Sequence, residues 1–373
     1  MEKRKAIFLT HPELLRSAIT GGVQLCSQEF HFILESMEDI SLEDYYVGYT
    51  KKISHRILIK TGMENYYGYD VRKDATALLK HITDHGVELL FLNMAATVRY
   101  AKAVKQQFGD RVKTILLSHG NYSGDFLHLI TKPVDNPGFL TRLRNKVRLG
   151  MLVATEAEQR VKWLDGVVVL SETEKQIENW FGARRTSFLP RRLFKDFVDH
   201  QPVPGRVGFV GRLDHPPNLQ GVTMLLEEVK KYSQQVEFRL VGAPQEYGQR
   251  IGQQFPFVQY LGELSDDDLV KEAASWTFLL NPVWWYATGA STKLAKAISW
   301  GLPILTSTAG MRGYSWKQGS LLVADSPGDM ARLLVKEAHR PEQVAYWREQ
   351  TRIVAAHGPG LQELGDLVRN IYR

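Results

Sequence analysis

Short apolar runs alternate with amphipathic stretches along the first half of the chain. The runs predict strands at 5–9, 45–49, 56–60, 87–92, 112–118 and 166–170, and apolar positions three to four residues apart predict helices at 23–35, 71–84, 95–108 and 139–163. This alternation favours a parallel sheet with helices on both faces. The runs 45–49 and 56–60 also fit a hairpin, because only a short polar link separates them.

The alternation begins again after a stretch punctuated by proline, over residues 189–205. Because proline-rich polar stretches mark interdomain connections, we expect a first domain over 1–190, a linker over 191–205, a second domain over 206–356 and a closing helix over 357–373 that returns to the first domain. Strands are predicted at 206–210, 236–241, 258–260, 277–281, 303–306 and 320–323, and helices at 218–231, 245–254, 266–275, 292–300, 327–338, 341–356 and 361–372. The predicted fold class is α/β, with two Rossmann-like domains whose parallel sheets face a central cleft.

Composition limits the classes of ligand and partner that the protein is expected to bind. The 47 basic and 41 acidic residues give a formal net charge of +6, which suits phosphate-bearing ligands or an anionic membrane surface. The sequence shows neither the aromatic and basic pattern of RNA-binding proteins nor a Cys/His metal spacing, so we expect no nucleic acid and no bound metal. The only cysteine, Cys26, cannot form an internal disulfide, and the apolar run 6–9 is too short for a signal peptide. These features favour the cytoplasm.

Two loops at the ends of predicted strands of the first domain are candidates for ligand contact. Gly21 and Gly22 form a turn that opens a helix, where the backbone can approach a ligand closely, although a plain turn fits equally well. His119 follows the strand 112–118 directly and can exchange a hydrogen bond with a substrate hydroxyl. The alternative for His119 is a structural histidine.

The first strand of the second domain ends in Gly211 and Arg212. A guanidinium binds phosphate oxygens in pairs, so Arg212 suits a diphosphate, while a surface ion pair is the alternative. Asn218 follows two prolines and is predicted to cap the next helix.

The stretch 287–303 reads as a small-residue loop, a short helix and a turn into a strand. Gly289 and Ala290 have almost no side chain, and Ser291 or Thr292 can cap the helix, whose first-turn amides then form an anion site. Lys293 and Lys296 lie three apart and are predicted to face the same side. An ordinary capped helix with two solvated lysines is the alternative.

The combination of these loops resembles the retaining glycosyltransferases of the GT-B fold, specifically family 4, the glycosyl transferase group 1 family. The second domain matches best and the first more loosely, in consistent order along most of the chain. The matching segments are 208–213, 217–218, 240–242, 260–262, 281–282, 289–303 and 306–313, together with 21–24, 118–120 and 165–172.

The resemblance implies transfer of a sugar from a nucleotide-diphosphate-sugar, most often a UDP- or GDP-sugar, held between the domains, with retention and without an essential metal or other cofactor. It implies that His119 contacts the donor sugar and that Arg212 and Lys293 bind the diphosphate. The donor-binding positions that it implies are Gly21, Gly22, Gly211, Thr288, Gly289, Ala290, Ser291, Thr292 and Lys296. In the mechanism proposed for such enzymes the departing phosphate helps to deprotonate the acceptor, so no carboxylate pair is required.

Two positions depart from the family pattern. Family members commonly have glutamates where this chain has Thr288 and Lys296. The second glutamate usually accepts hydrogen bonds from the ribose, and a lysine cannot accept. The family's lysine after the Gly-Arg pair is also missing, and Lys293 is expected to take its diphosphate contact. Three interpretations stay open: the ribose is held differently, the donor is unusual, or catalysis is lost.

We therefore expect a cytoplasmic glycosyltransferase that acts on a glycan, lipid-linked or other hydroxyl acceptor in polysaccharide or glycoconjugate assembly. A catalytically inactive partner subunit and a GT-B enzyme of other chemistry, an epimerase or a phosphorylase, are the alternatives. The basic amphipathic stretch 142–148 fits contact with the inner face of an anionic membrane, or else the solvated face of a long helix. The loop 121–137 is a candidate acceptor lid.

Overall fold

The structure is a computed structural model that describes residues 3–16, 21–50, 52–60, 68–131, 138–232, 236–285 and 289–373. These residues form two compact units. The first unit comprises residues 1–191 and 360–373, and the second comprises residues 192–359.

The first unit is built on a six-stranded sheet in the order β2-β1-β3-β4-β5-β6, and all its neighbouring strands run parallel. The strands are β1 (Arg4–Thr10), β2 (Ile40–Tyr46), β3 (Leu89–Asn93), β4 (Lys113–Leu117), β5 (Gly166–Val169) and β6 (Thr186–Phe188). The helices are α1 (Glu13–Arg16), α2 (Gly22–Glu35), α3 (Ile53–Lys60), α4 (Val71–His85), α5 (Arg99–Phe108), α6 (Tyr122–Thr131), α7 (Phe139–Trp163), α8 (Glu172–Trp180) and, at the end of the chain, α15 (Leu361–Tyr372).

Both faces of this sheet are buried. Along β1, Ala6 and Phe8 lie in the same hydrophobic cluster as α2 and α15, whereas Ile7 and Leu9 lie in the cluster on the opposite face. Successive side chains of a strand point to opposite faces, so a continuous apolar run covers both. Cys26 packs in the first of these clusters, and burial raises the pKa of its thiol to about 12, which leaves it protonated.

The strand predicted at 56–60 and the alternative of a hairpin with 45–49 are wrong. Residues 53–60 form α3 rather than a strand, and β2 pairs in parallel with β1, so the hairpin is absent from this part of the described chain. The short apolar run in 53–60 does not let periodicity separate strand from helix. Strand β2 lies at the sheet edge, where polar Glu43 and Asp44 are tolerated, and it begins five residues before its predicted start.

The prediction of a loop over 121–137 is also wrong for its described part. Residues 122–131 form α6, and residues 132–137 lie outside the described chain. The backbone amide of Tyr122 donates to the Glu156 carboxylate at 2.8 Å, and the Ser123 amide and hydroxyl donate to the same carboxylate. Glu156 on α7 therefore satisfies the first turn of α6, a distant partner that local sequence does not show.

The second unit repeats the plan. Its parallel sheet has the order β12-β11-β10-β7-β8-β9. The strands are β7 (Arg206–Val210), β8 (Glu237–Val241), β9 (Val258–Gly262), β10 (Phe278–Asn281), β11 (Ile304–Thr306) and β12 (Leu322–Val323). The helices are α9 (Pro216–Val229), α10 (Gln245–Gln254), α11 (Asp266–Ala273), α12 (Thr292–Trp300), α13 (Pro327–Glu337) and α14 (Pro341–Ala356). The α/β fold class with two Rossmann-like sheets is confirmed.

Residues 192–205, within the predicted linker, belong to the second unit. Their amides donate to backbone carbonyls of that unit, as in Asp196 to Ser299 at 2.9 Å and Gln201 to Ala274 at 2.9 Å. Helix α15 belongs to the first unit, where Ile371 and Tyr372 are buried in the core. The chain thus leaves the first unit at Arg191 and returns to it at Gly360.

Each sheet has one point where the strand order reverses. In the first unit this point lies between β1 and β3, and in the second between β7 and β10. In open parallel sheets, ligands bind outside the carboxyl ends of the strands at such a point. The topology therefore predicts ligand contact at the segments after β1, β3, β7 and β10. Across the described chain, no helix is both long and apolar enough to cross a membrane.

Candidate functional site

The segment after β7 contains two of the predicted residues, Gly211 and Arg212. The Gly211 amide donates to the Val241 carbonyl at 3.1 Å, which holds the end of β7 against β8. The Arg212 side chain is 73% exposed and forms a two-point ion pair with Asp214, with Nε–Oδ1 at 2.9 Å and Nη2–Oδ2 at 2.6 Å. Asp214 therefore occupies the guanidinium edge that a diphosphate would need.

Asn218 has a different role from the predicted helix cap. Helix α9 begins at Pro216 with His215 as the preceding residue, so Asn218 lies within its first turn. Its Nδ2 donates to the Arg212 carbonyl at 2.8 Å, and its Oδ1 accepts from Lys293 Nζ at 2.7 Å. Asn218 thus ties the Arg212 segment to α12.

Lys293 is a partly buried cation whose hydrogen-bond partner is a neutral amide rather than a carboxylate. Its ammonium also lies 5.2 Å from the centre of the Phe209 ring. Desolvation, with the charge of Arg312 as a smaller cause, lowers the pKa of Lys293 to about 8. A positive charge held in this way gains from an anion that arrives as a ligand.

The start of α12 presents backbone amides beside this lysine. Gly289 has φ +73°, a conformation that glycine adopts without strain, and Ala290 is half-buried. Ser291 is the residue that precedes the helix, but its hydroxyl donates to Asn281 Oδ1 at 3.1 Å and does not cap the first turn. Thr292 is exposed as the first helical residue, and it provides no cap either. The predicted serine or threonine side-chain cap is therefore wrong, so the Ser291 hydroxyl does not satisfy the first-turn amides, which are the groups that bind anions at a helix start.

The position of this helix start depends on Asn281, the last residue of β10. Its fully buried side chain donates to Thr306 Oγ1 at 3.1 Å and to the Gly310 carbonyl at 3.2 Å, while it accepts from Ser291. One amide therefore joins the ends of β10 and β11 to the start of α12. The predicted donor position Thr288 lies outside the described residues.

Lys296 has other partners than Lys293. Its ammonium lies 3.0 Å from Asp266 Oδ1 at the start of α11 and 5.0 Å from the centre of the Trp300 ring. The spacing of three residues on α12 therefore does not bring the two ammonium groups to one partner. An exposed pair of this kind is a weak contact, because the Asp266 side chain is 92% exposed.

A cavity of about 440 Å³ opens at the carboxyl ends of β8 and β9. Its wall includes Gln245 and Gln249 of α10, Tyr260 of β9 and Glu263. The Glu263 carboxylate also contributes, after Asp214, to raising the pKa of Arg212, so the cavity and the Arg212 segment interact electrostatically. The volume lies within the usual range of small-molecule sites.

In the first unit, Gly21 and Gly22 lie at the start of α2. Gly21 precedes the helix in an extended conformation without a side-chain cap, and Gly22 is the first helical residue. Both residues are exposed. A side chain at Gly21 would meet Gln24 Oε1 at 2.9 Å from its Cβ. The first turn of α2 therefore has no side-chain cap from Gly21, and it lies in the segment between β1, the first strand at the reversal point, and β2.

His119, after β4, belongs to a hydrogen-bonded cluster centred on Asn93, the last residue of β3. Asn93 Nδ2 donates to Ser27 Oγ at 3.0 Å and to Thr10 Oγ1 at 2.8 Å. Because the Ser27 hydroxyl donates to the Val23 carbonyl at 2.9 Å, its oxygen must accept from the amide, which fixes the orientation of Asn93.

This orientation determines the proton position on His119. Asn93 Oδ1 faces His119 Nε2 at 2.8 Å and can only accept, so Nε2 carries the hydrogen and Nδ1 keeps its lone pair. Desolvation, with Arg191 as a smaller cause, lowers the pKa of His119 to about 3. The imidazole is therefore neutral over the physiological range, with one nitrogen able to accept.

The backbone next to Asn93 is strained. Met94 has φ +76°, and its amide donates to the Leu117 carbonyl at 3.1 Å. Non-glycine residues in this region cost roughly 1–3 kcal/mol and concentrate at functional sites. The strain at the carboxyl end of β3, where the strand order reverses, is independent support for a site at Asn93 and His119.

Sequence reasoning missed Asn93 and Arg312, and gave no such role to Asn218 or Asn281. A local signal did exist for two of them, since Asn93 and Asn281 each end a buried strand directly after an apolar run. Arg312 Nη1 donates to the Ala309 carbonyl at 2.7 Å, and its charge acts on Lys293. Nothing local indicates that link, because it depends on the fold.

Residues 204–337 match the family model described as glycosyl transferases group 1. No curated protein matches the chain in sequence.

Solved structures match nearly the whole chain. A sucrose-phosphate synthase from Thermosynechococcus elongatus is 16% identical, with a TM-score of 0.63 over 100% of this chain and 98% of the other. A glycosyltransferase from Rickettsia africae is 12% identical, with a TM-score of 0.64 over 100% and 98%. HepE from Anabaena, in complex with UDP and glucose, is 14% identical, with a TM-score of 0.60 over 98% of each chain. At these identities the likeness concerns the fold, which is the GT-B fold.

Proposed function

We propose that the protein is a retaining glycosyltransferase, of family 4 type, that moves a sugar from a UDP- or GDP-sugar to a glycan, lipid-linked or other hydroxyl acceptor. The family match over 204–337 supports a group 1 glycosyl transferase domain in the second unit. The structural relative HepE binds UDP and glucose, which supports a nucleotide-sugar as the donor.

The observation that carries the proposal is the environment of Lys293. A partly buried ammonium with a neutral partner, a second cation at Arg312 and the uncapped first turn of α12 together make a site for a compact, multiply charged anion. A diphosphate has that chemistry. In the proposed complex Lys293 and the amides around Ser291 bind the diphosphate, and Gly289 and Ala290 offer amides to sugar hydroxyls.

The same cations serve the chemical step. When the bond between the anomeric carbon and the diphosphate oxygen breaks, negative charge develops on the diphosphate, and Lys293, Arg312 and Arg212 stabilise it. Because these three cations can supply the positive charge that metal ions supply in other enzymes, we propose that transfer does not require a metal ion. Activity is expected to be unchanged after exhaustive treatment with EDTA, and recovery of lost activity by Mg²⁺ would contradict this.

His119 of the first unit is proposed to contact the donor sugar through Nδ1, which accepts a hydrogen bond from a sugar hydroxyl. Asn93 is the positioning residue, because it fixes the tautomer that leaves Nδ1 as an acceptor. The acceptor proton passes to the departing phosphate as the new glycosidic bond forms on the same face, which gives retention without a carboxylate pair.

This chain has Lys296 where similar enzymes commonly have a ribose-binding glutamate. We propose that a carboxylate from another segment binds the ribose instead. Asp266 lies 3.0 Å from the Lys296 ammonium, and Glu263 lines the cavity beyond β9. Either oxygen pair can accept from ribose hydroxyls, and the cavity volume of about 440 Å³ suits a nucleoside. Asp266→Asn and Glu263→Gln, each titrated with UDP and with 2′-deoxy-UDP, identify the acceptor: the variant that no longer discriminates between the two ligands has lost it.

The experiment that tests the proposed function is calorimetric titration with UDP and GDP, followed by incubation with UDP- and GDP-sugars. Saturable binding of one diphosphate and slow release of free sugar from its nucleotide-sugar are expected. Absence of binding to both diphosphates would contradict the proposal. Binding without any sugar release or transfer would instead favour a non-catalytic binding protein.

A further inference from the structure

The first half of α7 carries an exposed apolar stripe with cations on both borders. The exposed apolar side chains are Phe139, Leu140, Leu143, Val147 and Met151, and Phe139 and Leu140 are each 78% exposed. Positions 140, 143, 147 and 151 follow the three- and four-residue spacing of a single helix face. This set of five residues, with the cations named below, is called the α7 face.

The opposite side of the helix is anchored in the protein. Glu156 binds the start of α6, and buried Arg160 pairs with Glu178, with Nε–Oε2 at 2.7 Å. By helical spacing both anchors lie on the side of α7 opposite the stripe, so the apolar stripe faces away from the packed side. Exposed large apolar groups in such a continuous stripe mark a binding surface.

The charges around the stripe are all positive. Arg144, Lys146 and Arg148 fall within five residues, and the segment 138–155 contains no aspartate or glutamate. Helical spacing places Arg144 and Arg148 on one border of the stripe and Lys146 on the other. The guanidinium of Arg148 lies 4.6 Å from the centre of the Phe126 ring on α6, which keeps it at that border.

We propose that the α7 face binds the surface of an anionic membrane, with the helix lying in the plane of the interface. An apolar stripe between two cationic borders is the arrangement that buries hydrocarbon between lipid chains and pairs cations with headgroup phosphates. A second copy of the chain fits poorly, because two α7 faces in a symmetric contact would oppose three cations with three cations. The inference does not require the proposed function, although a lipid-linked acceptor would be reached from such a surface.

The test is flotation of the full-length protein with vesicles of phosphatidylcholine, with and without phosphatidylglycerol. The wild type is expected to float with the anionic vesicles, and raised salt is expected to weaken this binding. Leu143→Glu/Val147→Glu is expected to abolish flotation. Arg144→Gln/Lys146→Gln is expected to weaken apparent binding roughly 10- to 30-fold, because it removes two cations near the surface.

Matched variants of the second unit serve as controls. Met224→Glu/Tyr346→Glu changes exposed apolar positions, and Lys271→Gln/Lys336→Gln removes two exposed cations, so both are expected to float like the wild type. Circular dichroism and thermal unfolding check that each α7 variant remains folded, independently of vesicle binding. Failure of the wild type to float, equal losses in the controls, or a dimer in sedimentation that Leu143→Glu/Val147→Glu dissociates would overturn the proposal.

Discussion

The two units place their candidate residues at equivalent points of similar sheets but use opposite electrostatics. In the first unit the centre is neutral: Asn93, Thr10 and Ser27 hold an uncharged His119 in one tautomer. In the second unit the centre is charged: Lys293 donates to the neutral amide of Asn218 and lies under the influence of a second cation, Arg312. Under the proposed function, this difference corresponds to a division of roles, in which the second unit would bind the anionic diphosphate and the first unit would orient uncharged sugar hydroxyls.

The largest expected effect comes from removing the charge of the second unit. Lys293→Met is expected to weaken UDP binding roughly 10- to 100-fold, since charge-assisted hydrogen bonds contribute about 1.5–3 kcal/mol. The free energy of unfolding without ligand is expected to change by less than about 1 kcal/mol, because relief of the desolvated ammonium is offset by the lost bond to Asn218. Calorimetry and thermal unfolding measure the two quantities.

Lys296→Met is the matched control, because it removes the same charge one helical turn away. UDP binding within a few-fold of wild type is expected for it. Equal losses in the two variants would mean that general positive charge on α12, rather than the environment of Lys293, attracts the ligand.

The next effect tests the neutral centre of the first unit. Asn93→Asp places a carboxylate beside His119, which raises the pKa of the imidazole and favours its charged form. Turnover at neutral pH is expected to fall roughly 10- to 100-fold and to recover as the pH rises past the new histidine pKa, while UDP binding is retained. Nitrogen NMR of His119 is expected to show the Nε2-protonated tautomer in the wild type. A pH-independent loss, or the other tautomer, would reduce Asn93 to a structural residue.

These two sites also show how much of the fold and of the candidate site the sequence predicts. The helices predicted at 245–254, 292–300 and 361–372 agree with the structure at both ends, because strong periodicity and flanking glycine or proline define them. The strand predicted at 56–60, within α3, was wrong, because a short apolar run fits a helix and a strand equally. Lys293 was found because it lies in the first turn of a helix after a small-residue loop.

Asn93, Asn218 and Asn281 could not be assigned their roles from sequence. Each acts by joining segments that are distant along the chain, such as Asn281 to Gly310 or Asn218 to Lys293. Such links depend on the strand order, which local patterns do not determine. The tautomer of His119 was equally out of reach, since it follows from the Val23 carbonyl through Ser27 and Asn93.

A smaller effect is expected from Asp214→Asn, which makes a cation of the second unit available instead of removing one. The substitution frees the Arg212 guanidinium from its two-point pair, so UDP is expected to bind about two- to five-fold more tightly at low salt. The gain should disappear in the double variant Asp214→Asn/Arg212→Gln. Weaker binding by Asp214→Asn would show that Asp214 orients Arg212 for the ligand instead of competing with it.

The smallest effect concerns Lys296. Lys296→Glu alone brings a second carboxylate near Asp266, whereas Lys296→Glu/Asp266→Lys keeps an opposite-charge pair with its signs exchanged. Exposed pairs contribute less than about 1 kcal/mol, so the double variant is expected to match the wild type in melting temperature. If the double variant has a higher turnover than the wild type, a glutamate at position 296 is functional. The proposal that Asp266 or Glu263 binds the ribose would then lose its support.

The most direct test of the charged centre is proton uptake on UDP binding. The pKa of Lys293 lies at about 8 in the free protein, and a bound diphosphate raises it, because an adjacent anion favours the ammonium. At about pH 9, calorimetry in two buffers of different ionisation enthalpy is therefore expected to show uptake of close to one proton per UDP. Lys293→Arg is expected to bind UDP without this uptake, because its guanidinium is already protonated. Equal proton uptake by wild type and Lys293→Arg, or none by either, would contradict the assignment of Lys293 as the residue that meets the diphosphate.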